Sequence, residues 1–237
     1  RYRPPHEGVK DGITVRNDTG VYEGGEISLF YDPMIAKLVT HADDRIASID
    51  AMADALDRFR IDGIRHNIDF LAAIMQHDRF REGALTTAFI AEEYPDGFEG
   101  APLSAEQIKE RAVIGFYMRS YVLDRASEIS GAMPNYEATL PDAMAVQVED
   151  QVFTARFDEN GIVLDDETFE LVSLWLPGDL FFDGKVNGQA VSLAVDTMPE
   201  GYVLTSRGKA QEVFVRSLRA QELMVFMPEK TDGASSK

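Results

Sequence analysis

The side chains best able to do chemistry near neutral pH are unevenly placed in this sequence. All four histidines (His6, His41, His66 and His77) fall within the first hundred residues, and there is no cysteine. From residue 101 onward the chain therefore lacks the two commonest neutral-pH catalytic side chains. Its carboxylates there are scattered over expected turns and strand ends, as in "LDDETFE", and no pair is singled out. The missing cysteine excludes disulfides, thiolate metal sites and a cysteine nucleophile, and no metal site is expected. Gly24-Gly25 lies between Glu23 and Glu26, the wrong charge for cradling phosphate, and reads as a hairpin turn.

The elements that would have to position any chemistry are clearer. In "RAVIGFYMRSYVL" and just before it, Ile108, Val113, Ile114, Phe116, Tyr117, Met118, Tyr121, Val122 and Leu123 fall around the whole circumference of a helix. Such a helix must be surrounded by protein or by lipid. A membrane span needs about 20 apolar residues. Here the uninterrupted run covers residues 112–118 and is flanked by Arg111, Arg119, Asp124 and Arg125. Protein must surround it. Residues 140–228 supply that protein as short alternating runs, from "MAVQVE" through "QVFTARF", "GIVLD", "FELVSLWL", "DLFFDGKV", "QAVSLAV", "GYVLTS" and "EVFVRSL" to "ELMVFMP". Asn, Asp and Gly turns separate them. Eight or nine such strands indicate an antiparallel barrel or sandwich. A barrel of about eight strands has an interior to fill, so a barrel wrapped around the helix meets both needs. The alternative is an ordinary helix in a two-layer domain, its arginines at the ends or reaching out to water.

Residues 1–99 read as a mixed α/β piece. "DGITVRNDTG" and "EISLFYDPMIAKLVTHA" are β-rich, and Asp43 or Asp44 caps a helix bearing Ile46, Ile49, Met52, Leu56 and Phe59. Asn67 starts a second helix, and Thr86 or Thr87 a third. "EEYPDGFEGAPLS" marks a boundary, and Ser104-x-x-Gln107 within and beyond it forms a capping box for the apolar helix. The fold class is thus α+β, an α/β piece followed by a helix-filled barrel. At 237 residues there is room for two domains, and 45% hydrophobic with 27% charged residues is a globular composition. The net charge of -18 argues against nucleic acid or an anionic membrane as partner. "RYRPPHEGVK" has no signal-peptide core, and a reducing, cytoplasm-like compartment fits the lack of cysteine.

Two segments carry a resemblance. "RNDTGVYEGGEISLFYDPMIAKL" followed by "IDGIRHNIDFL" resembles the C-terminal end of a biotin carboxylase domain, and "TTAFIAEEYPDGF" is similar to the way that domain ends. "GFYMRSYVL" and the strands after it resemble the BT domain of propionyl-CoA carboxylase α subunits, a helix inside an antiparallel barrel that docks the α subunit on the β subunit. The resemblance implies residues 1–99 as part of biotin carboxylase, 100–229 as BT domain and 230–237 as the start of a linker to a biotin carrier domain.

The same resemblance implies a chemistry and a set of partners. The family's biotin carboxylase uses ATP, Mg2+ and bicarbonate to carboxylate biotin, and an arginine stabilises negative charge on the ureido oxygen. That arginine lies sixteen residues before the Asp of "YDPMIAKL", which is Arg16 here. Asp62 of "IDGIRHN" corresponds to a residue near the biotin site; a simple turn role before Gly63 is equally open. The loop "SGAMPNYEATLPDA" between helix and first strand would reach the carboxyltransferase β subunit, with Met133 and Tyr136 as interface candidates. The ATP-grasp segments and a biotin-accepting lysine between methionines have no counterpart, so the chain is expected to be an inactive piece binding no cofactor alone. The parent would be a hetero-oligomeric ligase, cytoplasmic in bacteria or in the mitochondrial matrix. Methylcrotonyl-CoA carboxylase is the alternative within the family. Outside it, the alternative is a non-enzymatic small-ligand-binding barrel with an empty lumen.

Overall fold

A computed structural model of the chain describes residues 2–23, 34–98, 100–129 and 140–227. The first part holds β1 (Tyr2–Arg3), β2 (Gly8–Lys10), β3 (Ile13–Thr19), β4 (Ala36–His41), α1 (Arg45–Asp57), β5 (Arg60–Ile61), α2 (Ile68–Gln76), α3 (Asp78–Glu82) and α4 (Phe89–Glu93). β2, β3 and β4 form an antiparallel sheet in that order, and β1 pairs with β5. Asp44 caps α1 by accepting from the Ala47 N–H at 2.8 Å. Ile49, Ala53 and Leu56, spaced by four and three, are its buried stripe. Ile46, expected on that stripe, is mostly outside it at 42% exposed. Asn67 occupies the N-cap of α2 without a side-chain capping bond. Thr86 does accept from the Ala88 N–H at 3.2 Å, but α4 begins only at Phe89. The short α3 has no counterpart among the expected helices; Gly83, left-handed at φ 79°, ends it.

The second part opens with α5 (Ala105–Ser127), whose capping box is present: the Ser104 Oγ accepts from the Gln107 N–H at 3.2 Å, and the Gln107 Oε1 accepts from the Ser104 N–H at 2.9 Å. Nine strands follow: β6 (Met144–Val148), β7 (Gln151–Asp158), β8 (Gly161–Leu164), β9 (Glu167–Phe169), β10 (Leu171–Ser173), β11 (Phe181–Val186), β12 (Gln189–Met198), β13 (Gly201–Ser206) and β14 (Lys209–Ser217). They form one antiparallel sheet in the order β10-β11-β12-β13-β14-β6-β7-β8-β9. Its two edges, β9 and β10, are separated only by Glu170. At that bend the Glu170 N–H donates to the Asn187 Oδ1 at 2.9 Å, and the Asn187 N–H to the Glu170 carbonyl at 2.8 Å. Counted as one bent strand, β9 and β10 make the nine into eight, and the sheet is a nearly closed barrel.

The lumen is full. Ile108, Ala112, Val113, Ile114, Phe116 and Met118 of α5 pack in one core with Val146, Phe182, Leu193, Leu204, Val213 and Val215 from the strands. Each large side chain so buried contributes about 1.5–3 kcal/mol. At Gly115 the helix lies close against the wall: a Cβ there would lie 2.5 Å from the Val213 Cγ1. An empty ligand-carrying barrel is therefore not what this sequence builds.

One expectation is corrected here. "ELMVFMP" is not a strand. Ser217 accepts from the Ala220 N–H at 3.1 Å and caps α6 (Leu218–Leu223), which runs into a single 3-10 turn (Met224–Phe226). Leu, Arg, Ala, Gln and Glu after a serine cap favour helix over extension. Arg111, which the two-layer alternative would put at a helix end or reaching for water, is instead fully buried, its Nη2 donating to the Ser206 Oγ at 3.0 Å.

Candidate functional site

Arg16 is presented by β3, where it stands opposite Val39 of β4. Strand alternation turns Asn17 inward and leaves Arg16 and Asp18 together on the outer face. Asn17 anchors the strand: its Nδ2 donates to the Tyr2 hydroxyl at 2.9 Å, and its N–H to the Glu7 Oε2 at 3.1 Å. On the outer face Asp18 grips the guanidinium with both oxygens, Oδ1 at 2.9 Å from Nε and Oδ2 at 3.1 Å from Nη2. That two-point geometry fixes the plane of the guanidinium. The Arg16 side chain is 62% exposed, so in this chain it faces solvent. As a stabilising pair it is worth little; as a way of aiming an arginine it is well made.

Asp62 belongs to a different neighbourhood. The Arg60 Nε donates to its two oxygens at 3.0 and 3.2 Å. The same guanidinium donates through Nη1 to the Val195 carbonyl at 3.0 Å, and through Nη2 it contacts the Asp196 carboxylate. Both of those partners lie on β12, so Arg60 and Asp62 sit where the α/β part meets the barrel. Among the described residues, the arginine bonded to Asp62 is Arg60, while the carboxylate on Arg16 is Asp18. Arg45, at the start of α1, donates to the Phe80 carbonyl and lies 5.1 Å over the Phe80 ring, a packing role.

At the C-terminal end of α5 aromatic side chains gather. Trp175 packs edge-on against Tyr121 and Tyr202, and the Tyr117 hydroxyl donates to the Ser173 carbonyl at 3.3 Å. Burial pushes the Tyr202 phenol up to about 12. Leu174, beside the buried Trp175, is 94% exposed. Met133 and Tyr136 lie outside the described residues. No group of His, Asp and Glu suited to a metal ion occurs among the described residues, and no described helix is long and apolar enough to cross a membrane.

An α/β segment that presents the clamped Arg16 on a strand face, joined to a barrel filled by its own helix, defines a two-part α+β protein. Comparison with known families gives that class its place. The chain belongs to the propionyl-CoA carboxylase BT-domain family: "Propionyl-coenzyme A carboxylase BT domain" matches residues 112–230, and "Biotin carboxylase C-terminal domain" matches residues 1–92. The propionyl-CoA carboxylase α chain of Ruegeria pomeroyi is 40% identical over 100% of this chain and 38% of its own length. The human mitochondrial propionyl-CoA carboxylase α chain is 33% identical over 68% of this chain and 23% of its own. The mouse methylcrotonoyl-CoA carboxylase α subunit reaches 32% identity over 49% of this chain and 16% of its own. A solved pyruvate carboxylase from Rhizobium etli is 32% identical over 54% of this chain and 11% of that one, with a TM-score of 0.36, too partial a superposition to argue from. The chain thus spans about two fifths or less of these relatives, 38% for the first.

The residues that join the two halves carry no local signal. Arg58 meets Asp183 at 2.9 Å, Arg60 meets Asp196, and Arg207 meets Asp54 and Asp57. In the sequence, Arg207 of "SRGKA" reads only as part of a turn.

Proposed function

We propose that this chain is a segment of the α subunit of a biotin-dependent acyl-CoA carboxylase, with propionyl-CoA as the parent's acyl substrate. It would contribute one arginine of the biotin carboxylase site and the barrel that docks on the carboxyltransferase β subunit. The observation that carries the first half is the Arg16–Asp18 clamp on β3, and the filled lumen supports a docking rather than a ligand-carrying barrel. Biotin would supply a ureido group able to carry the carboxyl between sites, and ATP, Mg2+ and bicarbonate would be used by other parts of the parent. This chain's part is positional: Asp18 occupies the Nε edge of Arg16, leaving the far edge of the guanidinium to meet negative charge on the ureido oxygen. Asp62 would shape the neighbourhood from the joint side, through Arg60. Met133 and Tyr136 would contact the β subunit, and a biotin carrier domain of the same polypeptide would visit Arg16. Methylcrotonoyl-CoA carboxylase, a more distant relative here, is the second reading for the acyl group. The bacterial and mitochondrial relatives point to the bacterial cytoplasm or the mitochondrial matrix as its place.

The test is Arg16→Gln in the intact α subunit, assayed for ATP-dependent carboxylation of biotin. Loss of one fixed charge at a developing oxyanion predicts a kcat about 100- to 1,000-fold lower, with the KM for ATP and the melting curve unchanged. An unaltered kcat would overturn the assignment.

A further inference from the structure

The β13–β14 hairpin meets the α/β segment beside the contacts that β11 and β12 make through Asp183 and Asp196. Both residues of its turn have positive φ, Arg207 at 52° and Gly208 at 80°, as a two-residue hairpin requires. A Cβ on Gly208 would stand 2.4 Å from the Asp69 carbonyl oxygen and 2.9 Å from the Ala73 nitrogen, so the turn lies directly on the α2 backbone. Arg207 beside it reaches α1: its N–H donates to the Asp57 Oδ1 at 2.6 Å, its Nε is 3.3 Å from the Asp57 Oδ2, and its Nη2 contacts Asp54.

Asp57 differs from the other acids of this joint. Its side chain is 6% exposed, against 66% for Asp54, 59% for Asp183 and 55% for Asp196. It also stands between two voids. A cavity of about 150 Å³ is bordered by Asp57, Arg60, Ser206 and Gly208, and a cleft of about 840 Å³ by Asp57, Arg58, Glu110 and Ser206. The joint is thus close-packed where Gly208 meets α2, with room on either side of Asp57.

Charges face Asp57 from each element around it. Arg207 of the hairpin and Arg111 of α5 attract it, and Asp54 on its own helix repels it. The cavity side carries Arg60, Asp62 and His66, with Asp69 of α2 and Asp196 of β12. The cleft side carries Glu106 and Glu110 of α5, His6, Glu7, Lys10 and Asp11 around β2, and Arg58 with Asp183. The other neighbours of α1 engage it elsewhere: α3 through Arg81 and Asp50 at 2.7 Å, two turns away, and β4 through Thr40 and Ser48 at 2.9 Å. Burial is the largest influence and outweighs Arg207, pushing the Asp57 carboxyl up to about 6.

We propose that the joint is a proton-responsive hinge, closed when Asp57 is protonated and loosened when Asp57 is ionised, toward an arrangement in which water reaches the carboxylate. The sense comes from linkage. The closed joint holds the proton more tightly than an opened one, so falling pH favours closure, and the bias shifts between about pH 4 and pH 6. A difference of about two pKa units corresponds to a roughly 100-fold change in the closed-to-open ratio across that window. The proposal rests on this chain's own geometry and stands or falls apart from its assignment to a carboxylase.

Because the chain has no cysteine, spin labels can be placed at will. Glu82→Cys on α3 and Glu159→Cys in the β7–β8 turn put one exposed label on each half. Electron–electron double resonance on the full 237-residue chain should show one narrow distance distribution at pH 4 and a longer, broader one at pH 7, the change falling between about pH 4 and pH 6. Asp57→Asn should hold the distribution constant over that range, whereas Asp54→Asn should keep the transition. A carbon-detected titration of the Asp57 carboxyl in the unsubstituted chain is the second readout, independent of whether any variant folds. Identical distributions at pH 4 and pH 7, a transition that survives Asp57→Asn, or a carboxyl titrating near 4 would each overturn the proposal.

Discussion

Replacing Gly115 by alanine separates a helix inside a barrel from a helix on a surface, because the two situations predict opposite signs. On an exposed helix the change stabilises by up to about 1 kcal/mol, since glycine is the poorer helix former. Here the new methyl would lie 2.5 Å from the Val213 Cγ1 and 3.6 Å from the Val215 Cγ2. Val213 is β-branched, fully buried and held in β14, so it has little freedom to turn aside. Overpacking of this kind costs about 1–3 kcal/mol. The net expectation for Gly115→Ala is a loss of about 1 kcal/mol. Val213→Ala alone removes two carbons from the core and costs about 1.6 kcal/mol at about 0.8 per carbon. Together the two changes fit, because the clashing methyl is gone and the whole overpacking cost goes with it, so the double variant should be more stable than the sum of the singles by about 2 kcal/mol. Urea denaturation followed by circular dichroism measures all three. Stabilisation by Gly115→Ala, or strict additivity in the pair, would refute the filled barrel.

Two further predictions use the same kind of reasoning. Gly208→Ala should cost about 2–4 kcal/mol, combining left-handed strain with a backbone clash against α2, whereas Gly188→Ala, at φ 79° with nothing within 4 Å, should cost only about 1 kcal/mol; urea midpoints of the two variants test this. Tyr202 keeps its proton up to about 12 when folded but loses it near 10 when unfolded, so stability should fall as pH rises from 10 to 12. That fall should be shallower in Tyr202→Phe, and an identical slope in both proteins would contradict it.

Much of the barrel is legible in the sequence because its constraints are local. Apolar residues on every side of one helix demand a surrounding wall, and Asn, Asp and Gly between alternating runs demand hairpins; the positive φ values at Asn187, Gly188, Arg207 and Gly208 are those demands met. Ser104 and Gln107 lie three residues apart and read directly as a cap. The bend at Glu170 is hidden because "FELVSLWL" reads as one continuous strand, and it depends on Asn187, which the fold brings alongside. The burial of Arg111 escapes a sequence reading because its environment is made by Ser206 on the far wall. The joint is illegible for the same reason. Arg58, Arg60 and Arg207 each find carboxylates more than 100 residues away in sequence, and nothing near any of them announces the partner. Arg16 is picked out by the motif around it, since an arginine on a strand surface says nothing by itself. What the structure adds is Asp18, two residues on and on the same face.

The most direct test of a docking role is sedimentation velocity of this chain mixed with a propionyl-CoA carboxylase β subunit, repeated with Met133→Ser and Tyr136→Ser together. A docking barrel predicts co-sedimentation that the double substitution abolishes while both proteins stay folded. Two folded proteins that sediment independently before any substitution would contradict it.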